Sequence, residues 1–449
     1  MSENLFKSFD PVAPKAWKQK IQVDLKGADY NDTLIWKTEE GIDVKPFYTK
    51  EDRSHQGVRT SFDNYMVCQS VFVDDEKIAH KIASDALSKG ADTIQFVATK
   101  NFDFQSLLAN IQPEASLYFK LQFLDAEFVK EIIQFCGDRE VIFQIDPIGE
   151  LAEQGNWFQN QQKDIEALQQ LLGEGKLVLS VSLDVYQNAG ATITQQLAYA
   201  LAHANEYINL LGDDAAKATS FSVAVGGNYF FEIAKIRALR ILWESLCEGY
   251  GIEHQEAHIF TTPSLRNKSI YDYNVNLLRT TSETMSAILG SSNTVANLPY
   301  DKIYNRSNEF GERISRNQLL VLNNESGFKT AKEIVDGTYY IESLTDQLAE
   351  KALNIFKQIE KGGGFLSQLF EGTIQRKISE SHEAELEKFE SGKLRLLGTN
   401  FQPNPEDRMK DNLQLYPFAK KRNTKTLITP ITGKRLAEKL EKERLDQES

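Results

Sequence analysis

The chain has 449 residues, 41 % of them hydrophobic and 26 % charged, with a formal net charge of −13. That length can bury one large core with extensions. An acidic chain argues against nucleic-acid binding, which needs a basic face, and no run of about eighteen apolar residues is present to cross a membrane. The opening MSENLFKSFDPVAPKAWK has no apolar signal-peptide core, so a cytoplasmic protein is expected. Cys68, Cys136 and Cys247 are odd in number and far apart, which suits reduced core thiols.

Residues 1–59 read as an arm ahead of any barrel. Trp17, Ile21 and Leu25 recur at helical spacing and Gly27 stops the helix. Leu34 and Trp36 face Ile42 and Val44 across Glu40-Gly41, the pattern of a small hairpin that Pro46 closes. Two tryptophans with Phe6 and Phe9 are more than so short an arm buries by itself. It folds back on its own chain or lies on a partner.

From about residue 60 to 300 a short β-rich run followed by an amphipathic helix recurs, within a barrel domain read as 60–345. The runs are MVCQSVFV, TIQFVA, SLYFKLQF, VIFQID, LVLSVSLD, SFSVAVGGN, AHIFTTPS and the weaker NTVANLP. Eight such units predict an α/β fold, a (β/α)8 TIM barrel. A doubly wound sheet competes, but no early strand is followed by Gly-x-Gly-x-x-Gly; Gly226-Gly227-Asn228 reads as close packing. The fifth strand is read to Asp184, with the turn at Gln187-Asn188-Ala189-Gly190.

Alternation puts Lys120 and Gln122, Gln144 and Asp146, and Ser180, Ser182 and Asp184 on the faces opposite Phe119, Leu121, Phe143, Ile145, Val181 and Leu183. In a barrel the apolar faces meet the helices, so the polar set is expected in the lumen. An ammonium there must be paired, and Lys120 with Asp146 or Asp184 would plug the barrel.

Residues 346–400 read as a charged helical linker broken at Gly362-Gly363-Gly364, and 401–449 as a tail with a basic patch, Lys420-Lys421-Arg422, and a final helix from Lys434 to Leu445. Arg279 and Glu283, one helical turn apart, read as an ion pair. His254 and His258 are also i and i+4, but no His-Glu-x-x-His accompanies them and a chance pair is favoured over a zinc site.

Several motifs together resemble the methylmalonyl-CoA mutases. They are WKQKIQVDLKGADY with TLIWKTEEGIDVKPFY, Asn188-Ala189-Gly190-Ala191, Tyr271 to Thr281 with Glu283-Thr284-Met285, Arg316-Asn317 with Glu325-Ser326-Gly327, Gly337 to Thr345, and Gly392 to Asn400. The last resembles a strand leading toward the family's cobalamin domain. In that register Asp184 and Val185 stand where active chains carry a catalytic Tyr and His, and an isopropyl group donates no hydrogen bond to a thioester. The Tyr-Pro-Thr-Met-Tyr run has no counterpart at Phe47 to Arg53, and the segment preceding the fifth strand of active chains is missing between Asp146 and Lys176. None of the six histidines has Asp two places before it, as the family's cobalt ligand does. Only some fifty residues follow Asn400, too few for a doubly wound domain of about 100 residues.

The resemblance therefore implies the small, non-catalytic chain of a two-chain mutase. Adenosylcobalamin, substrate and radical would be held by the large chain, and no cofactor by this one. Phe6, Phe9, Trp17, Ile21 and Trp36 of the arm would meet that partner. The polar lumen would be an inherited channel for the CoA arm or, as preferred, a plug. Two alternatives stay open: a stand-alone barrel enzyme using Lys120, Asp146 and Asp184 for acid/base chemistry, and a subunit of a related acyl-CoA mutase.

Overall fold

Residues 8, 10, 12–52, 57–58, 60–252, 255–330, 334–419 and 425–448 are described by the structure, a computed structural model. The eight β-rich runs form parallel strands: β1 Met66–Phe72, β2 Thr93–Ala98, β3 Ser116–Leu121, β4 Val141–Phe143, β5 Leu179–Ser182, β6 Thr219–Val225, β7 His258–Pro263 and β8 Thr294–Ala296. Their order is β4-β3-β2-β1-β8-β7-β6-β5. Sequential neighbours pair as βα units require, and β8 returns to β1 through Thr294–Met66 and Val295–Val67. The remaining gap, β4 to β5, is closed by a parallel bridge between Ile142 and Leu177, with Phe143 N donating to Leu177 O at 2.8 Å and Ser180 N to Ile145 O at 2.9 Å. The fold is an α/β (β/α)8 TIM barrel.

The outward faces of the strands make the main core. Phe96, Phe119 and Phe143 stack side by side on β2, β3 and β4, with centroids 5.7 and 5.1 Å apart. Each is fully buried, and burying one such side chain contributes about 1.5–3 kcal/mol. After β5 the chain departs from the sequence reading: the strand ends at Ser182, and Leu183–Ala189 is a short helix. Gly190 ends it at φ +106°, where a Cβ would stand 2.8 Å from His382 Cβ. The long helix Ile193–Leu211 follows, opened by a capping box of Thr192 and Gln195.

The arm supplies the rest of that helix's cap. Its helix Pro14–Asp24 ends before Gly27, Leu34 belongs to a short helix Tyr30–Leu34, and Trp36–Lys37 pairs with Val44–Asp43 in the hairpin. The hairpin carries Glu40, whose carboxylate accepts from Ile193 N at 2.8 Å and from Thr194 N at 2.7 Å. Amides at a helix start lack intrahelical partners and favour negative charge, so Glu40 fastens the hairpin to the barrel. Ile42 is buried in the core beneath it, and Glu39 pairs with Lys388. The helix Pro14–Asp24 buries none of its residues.

The extension is helical: Tyr339–Lys361, Phe365–Phe370 and Thr373–Glu390. The 345/346 boundary falls inside the first of these, which packs against the barrel helices Ile193–Leu211 and Tyr229–Gly249. No strand forms over Gly392–Asn400, only a bridge of Leu397 to Phe401, and the last helix is Glu438–Gln447. Between them the tail straps the barrel. Leu427 N and Ile428 N donate to Gly155 O, Ile431 N to Ala152 O, Lys434 N to Asn188 O and Leu436 N to Arg266 O. A Cβ at Gly155 would lie 2.8 Å from Ile428 O.

Arg435 anchors the strap. Its guanidinium donates to Lys268 O at 2.9 Å and meets the Glu441 carboxylate at 2.6 Å, with side chains 5 % and 0 % exposed. Breaking a buried pair leaves an uncompensated charge and costs about 3–5 kcal/mol, whereas replacing both partners with apolar groups costs less. Arg435→Met is therefore expected to lower stability in urea unfolding by about 3–5 kcal/mol. The double variant Arg435→Met/Glu441→Met should lose less; equal losses would show that the ion pair is not what anchors the strap.

Candidate functional site at the barrel mouth

The β4–β5 seam is held at its C-terminal end by a side chain. Asp146 caps the helix Pro147–Gln154 by accepting from Gly149 N at 2.8 Å, and its other oxygen accepts from Ser182 N at 2.9 Å, across the seam. Tyr207 OH donates to Asp146 at 2.6 Å and His203 Nε2 lies 2.9 Å away, both on the long outer helix. Asp146 thus turns away from the lumen, contrary to the alternation reading, because β4 ends at Phe143 and residue 146 already belongs to the helix start. Burial opposes ionisation of Asp146, but His203 and these hydrogen bonds win and hold its carboxyl below the usual range.

The lumen is layered. At the N-terminal side, Tyr118 OH lies 2.7 Å from both His258 Nε2 and Thr294 Oγ1, and burial with Arg240 nearby pushes His258 down to about 4. Above it Cys68, Ile142 and Phe260 pack together. A polar layer follows. Ser70 Oγ donates to Gln95 Oε1 at 2.7 Å, Gln95 Nε2 to Gln144 Oε1 at 2.5 Å and Gln144 Nε2 to Ser222 Oγ at 3.1 Å, and Ser180 Oγ is 3.2 Å from Ser222 Oγ. The network completes itself across β1, β2, β5, β6 and the end of β4, as buried polar groups require.

At the mouth, Lys120 Nζ stands 3.4 Å from Asp184 Oδ2. The carboxylate beside it raises the Lys120 pKa against the opposing effect of burial. Asp184 lies in the first turn of Leu183–Ala189, and the neighbouring Val185 packs against the main core. A cavity of about 610 Å³ opens here, with Lys120, Gln122, Asp184 and Phe260 below and the strap residues Phe418 and Lys434 beside it. Ser182 is half-buried and contributes its backbone amide to the seam.

Sequence reasoning left Ser70, Gln95 and Ser222 out of the lumen, although Gln95 alternates with Ile94 and Phe96 in the same way that Gln144 alternates with Phe143. It also missed Arg266, which donates to Glu385, to Lys434 O and to His382, and so joins the β7 loop to extension and strap. Glu283 pairs with Lys268 at 2.7 Å; Arg279 turns instead to Ser269, Asn276 and Leu397 O. Trp17 and Trp36 are 49 % and 52 % exposed, and Ile21 is half-buried. Phe6, Phe9, His254 and the patch Lys420-Lys421-Arg422 lie outside the described residues. No group of three or more metal-ligating side chains occurs among the described residues, and no helix there is long and apolar enough to cross a membrane.

Barrel and mouth together define a (β/α)8-barrel protein, a fold in which sites are built at the C-terminal strand ends. The chain belongs to the methylmalonyl-CoA mutase family, whose model matches residues 141–446. It is 32 % identical to the methylmalonyl-CoA mutase small subunit of Porphyromonas gingivalis, over 99 % of this chain and 78 % of that protein. A small subunit from Streptomyces virginiae is 32 % identical over 52 % of this chain and 39 % of that protein. The large subunit of Propionibacterium freudenreichii is 32 % identical over 49 % of this chain and 32 % of its own length.

A carboxylate whose folded pKa is depressed contributes stability above its unfolded pKa, and that contribution fades as pH falls through the folded value. Asp146→Asn should therefore destabilise the chain at pH 7, and the gap to wild type should narrow below about pH 4, the unfolded carboxylate pKa. Urea titrations at pH 7 and in the acid range measure it. A gap that is independent of pH would remove Asp146 from the seam's electrostatics.

Proposed function

We propose that this chain is the small, non-catalytic subunit of a heterodimeric, adenosylcobalamin-dependent methylmalonyl-CoA mutase. The complex interconverts methylmalonyl-CoA and succinyl-CoA in the cytoplasm, in propionate metabolism, and this subunit stabilises the catalytic large one. The observation that carries the reading is the state of the two diverged positions. Val185 is half-buried and packs against the core, and Asp184 is engaged by Lys120. Neither offers a proton donor to a thioester at this place.

The cofactor does not fit the residues present. The described histidines are all engaged within the fold: His80 with Leu107 O, His203 with Tyr186 and Asp146, His258 with Tyr118, and His382 with Arg266. Among the described residues no imidazole is placed to ligate cobalt, so no step is assigned to adenosylcobalamin on this chain; the partner holds it. The stand-alone acid/base reading is weakened by the pKa directions. A Lys120 pKa held high suits no general base near neutral pH, and an Asp146 pKa held low suits no general acid.

A partner is favoured by the arm. It exposes Val12, Trp17, Val23 and Trp36, apolar surface that water does not favour. Purified with a large subunit from the same genome, the chain should co-migrate 1:1 and the pair turn over, while the isolated chain neither turns over nor binds cobalamin. Separate migration, or turnover by this chain alone, would sink the assignment; turnover of a different acyl-CoA by the pair would select a related mutase. Trp17→Ala/Trp36→Ala should weaken co-migration at least about tenfold. Being exposed, both changes together should shift the isolated chain's stability by no more than about 1 kcal/mol.

A further inference from the structure

The cavity at the barrel mouth has a surplus of hydrogen-bond donors. Its carboxylates are largely engaged: Asp184 through Oδ2 by Lys120, its Oδ1 being buried without a partner, Glu312 by the Gln69 amide and Ser307 Oγ at 2.9 Å, and Glu438 by the backbone amides of Arg435 and Ala419. Arg266 and Arg435, also on its wall, are paired with Glu385 and Glu441. The lysines are not so committed. Lys120 has three N–H donors and a single partner at 3.4 Å, while Lys302 and Lys434 are exposed and make no ion pair among the described residues. The side-chain amide of Gln122 and the hydroxyl of Thr262 line the same space with no side-chain hydrogen bond among the described residues.

The rest of the lining is apolar. Val97, Val223, Phe260, Leu298, Ile303 and Phe418 face the cavity. Its volume of about 610 Å³ is in the range of small-molecule sites, which pair apolar walls with a few convergent polar groups. The strap takes part of the mouth, with Tyr416–Ala419 on one side and Gly433–Arg435 on another. Cationic donors favour an anion, and the apolar walls favour a carbon skeleton over inorganic phosphate.

We propose that this cavity is a binding site for a small organic acid, its carboxylate received by Lys120 with Lys302, Lys434 and Gln122, and its aliphatic part lying on Phe260, Val223 and Ile303. The site is a property of this chain alone and does not depend on the subunit reading.

The test is calorimetry and thermal shift on the full purified chain with succinate, acetate, inorganic phosphate, butylamine and coenzyme A as separate probes. Succinate should bind 1:1 and raise the melting temperature, ahead of acetate and phosphate, and butylamine should give nothing. Lys120→Met should weaken succinate at least tenfold. Because that change touches the Asp184 pair and could affect folding, Lys302→Met and Gln122→Leu, both at exposed positions, should each weaken it at least threefold with the melting temperature of the free chain unchanged. The proposal is overturned by no binding of either acid, by phosphate or coenzyme A binding more tightly than succinate, or by succinate affinity that is indifferent to Lys302 and Gln122.

Discussion

The barrel depends on how its β4–β5 seam is closed. The other strand junctions are ladders of two to six residue pairs, whereas this one has a single bridge outside the strands. A barrel tolerates no open edge among buried backbone groups, so the shortfall must be met elsewhere. Asp146 meets it, accepting the Ser182 amide that lies beyond the last ladder bond, and Tyr207 and His203 hold the carboxylate in place. The seam is also where Leu183–Ala189 begins, so the position of Asp184 and Val185 follows from the same carboxylate.

The interior holds several ion pairs that are almost wholly buried. Lys235 with Glu232, Lys268 with Glu283, Arg237 with Glu342 and Arg435 with Glu441 are all pairs whose side chains are no more than 5 % exposed. Such pairs return little net stability, since desolvation offsets their attraction, but each tolerates only one arrangement of the elements that supply it. Lys268–Glu283 joins the β7 loop to a barrel helix and Arg237–Glu342 joins a barrel helix to the extension, whereas Lys235–Glu232 lies within one helix and Arg435–Glu441 within the strap. The two pairs that join separate elements therefore fix the register in which the β7 loop and the extension sit on the barrel helices. Lys235 illustrates the geometry: beside Glu232, its three N–H groups donate to Gln187, Gln196 and Ala224 O.

Period-two alternation and the regular strand-helix spacing made the barrel legible, because both are local consequences of burying one face of each strand. The helix ending near Leu25, the hairpin about Gly41 and the break at Gly362–Gly364 were legible for the same reason, each being set by a nearby glycine or by a two-sided pattern. What failed was non-local. Asp146 sits one position past where alternation still holds, and its partners are some sixty residues away. Glu283 chose Lys268 over the nearer Arg279 because both are fully buried and need each other. Leu183–Ala189 looked like strand and turn because its apolar residues also fit an alternating pattern; the Gly190 cap decides for a helix. The strap was the least legible, since its contacts are mainly backbone hydrogen bonds that any sequence could make.

The strap also orders events during synthesis. Residues 425–448 reach back to Ala152, Gly155, Asn188 and Arg266, which are translated more than 150 residues earlier. At about 5–20 residues per second, the β4, β5 and β7 loops wait several seconds or more before the segment that covers them leaves the ribosome. Through that interval the Lys268 and Ile270 backbone groups that later meet Arg435 and Glu441 face water. The nascent barrel is thus complete in its ladders well before it is covered at its mouth, and whatever binds that mouth has its freest access to it then.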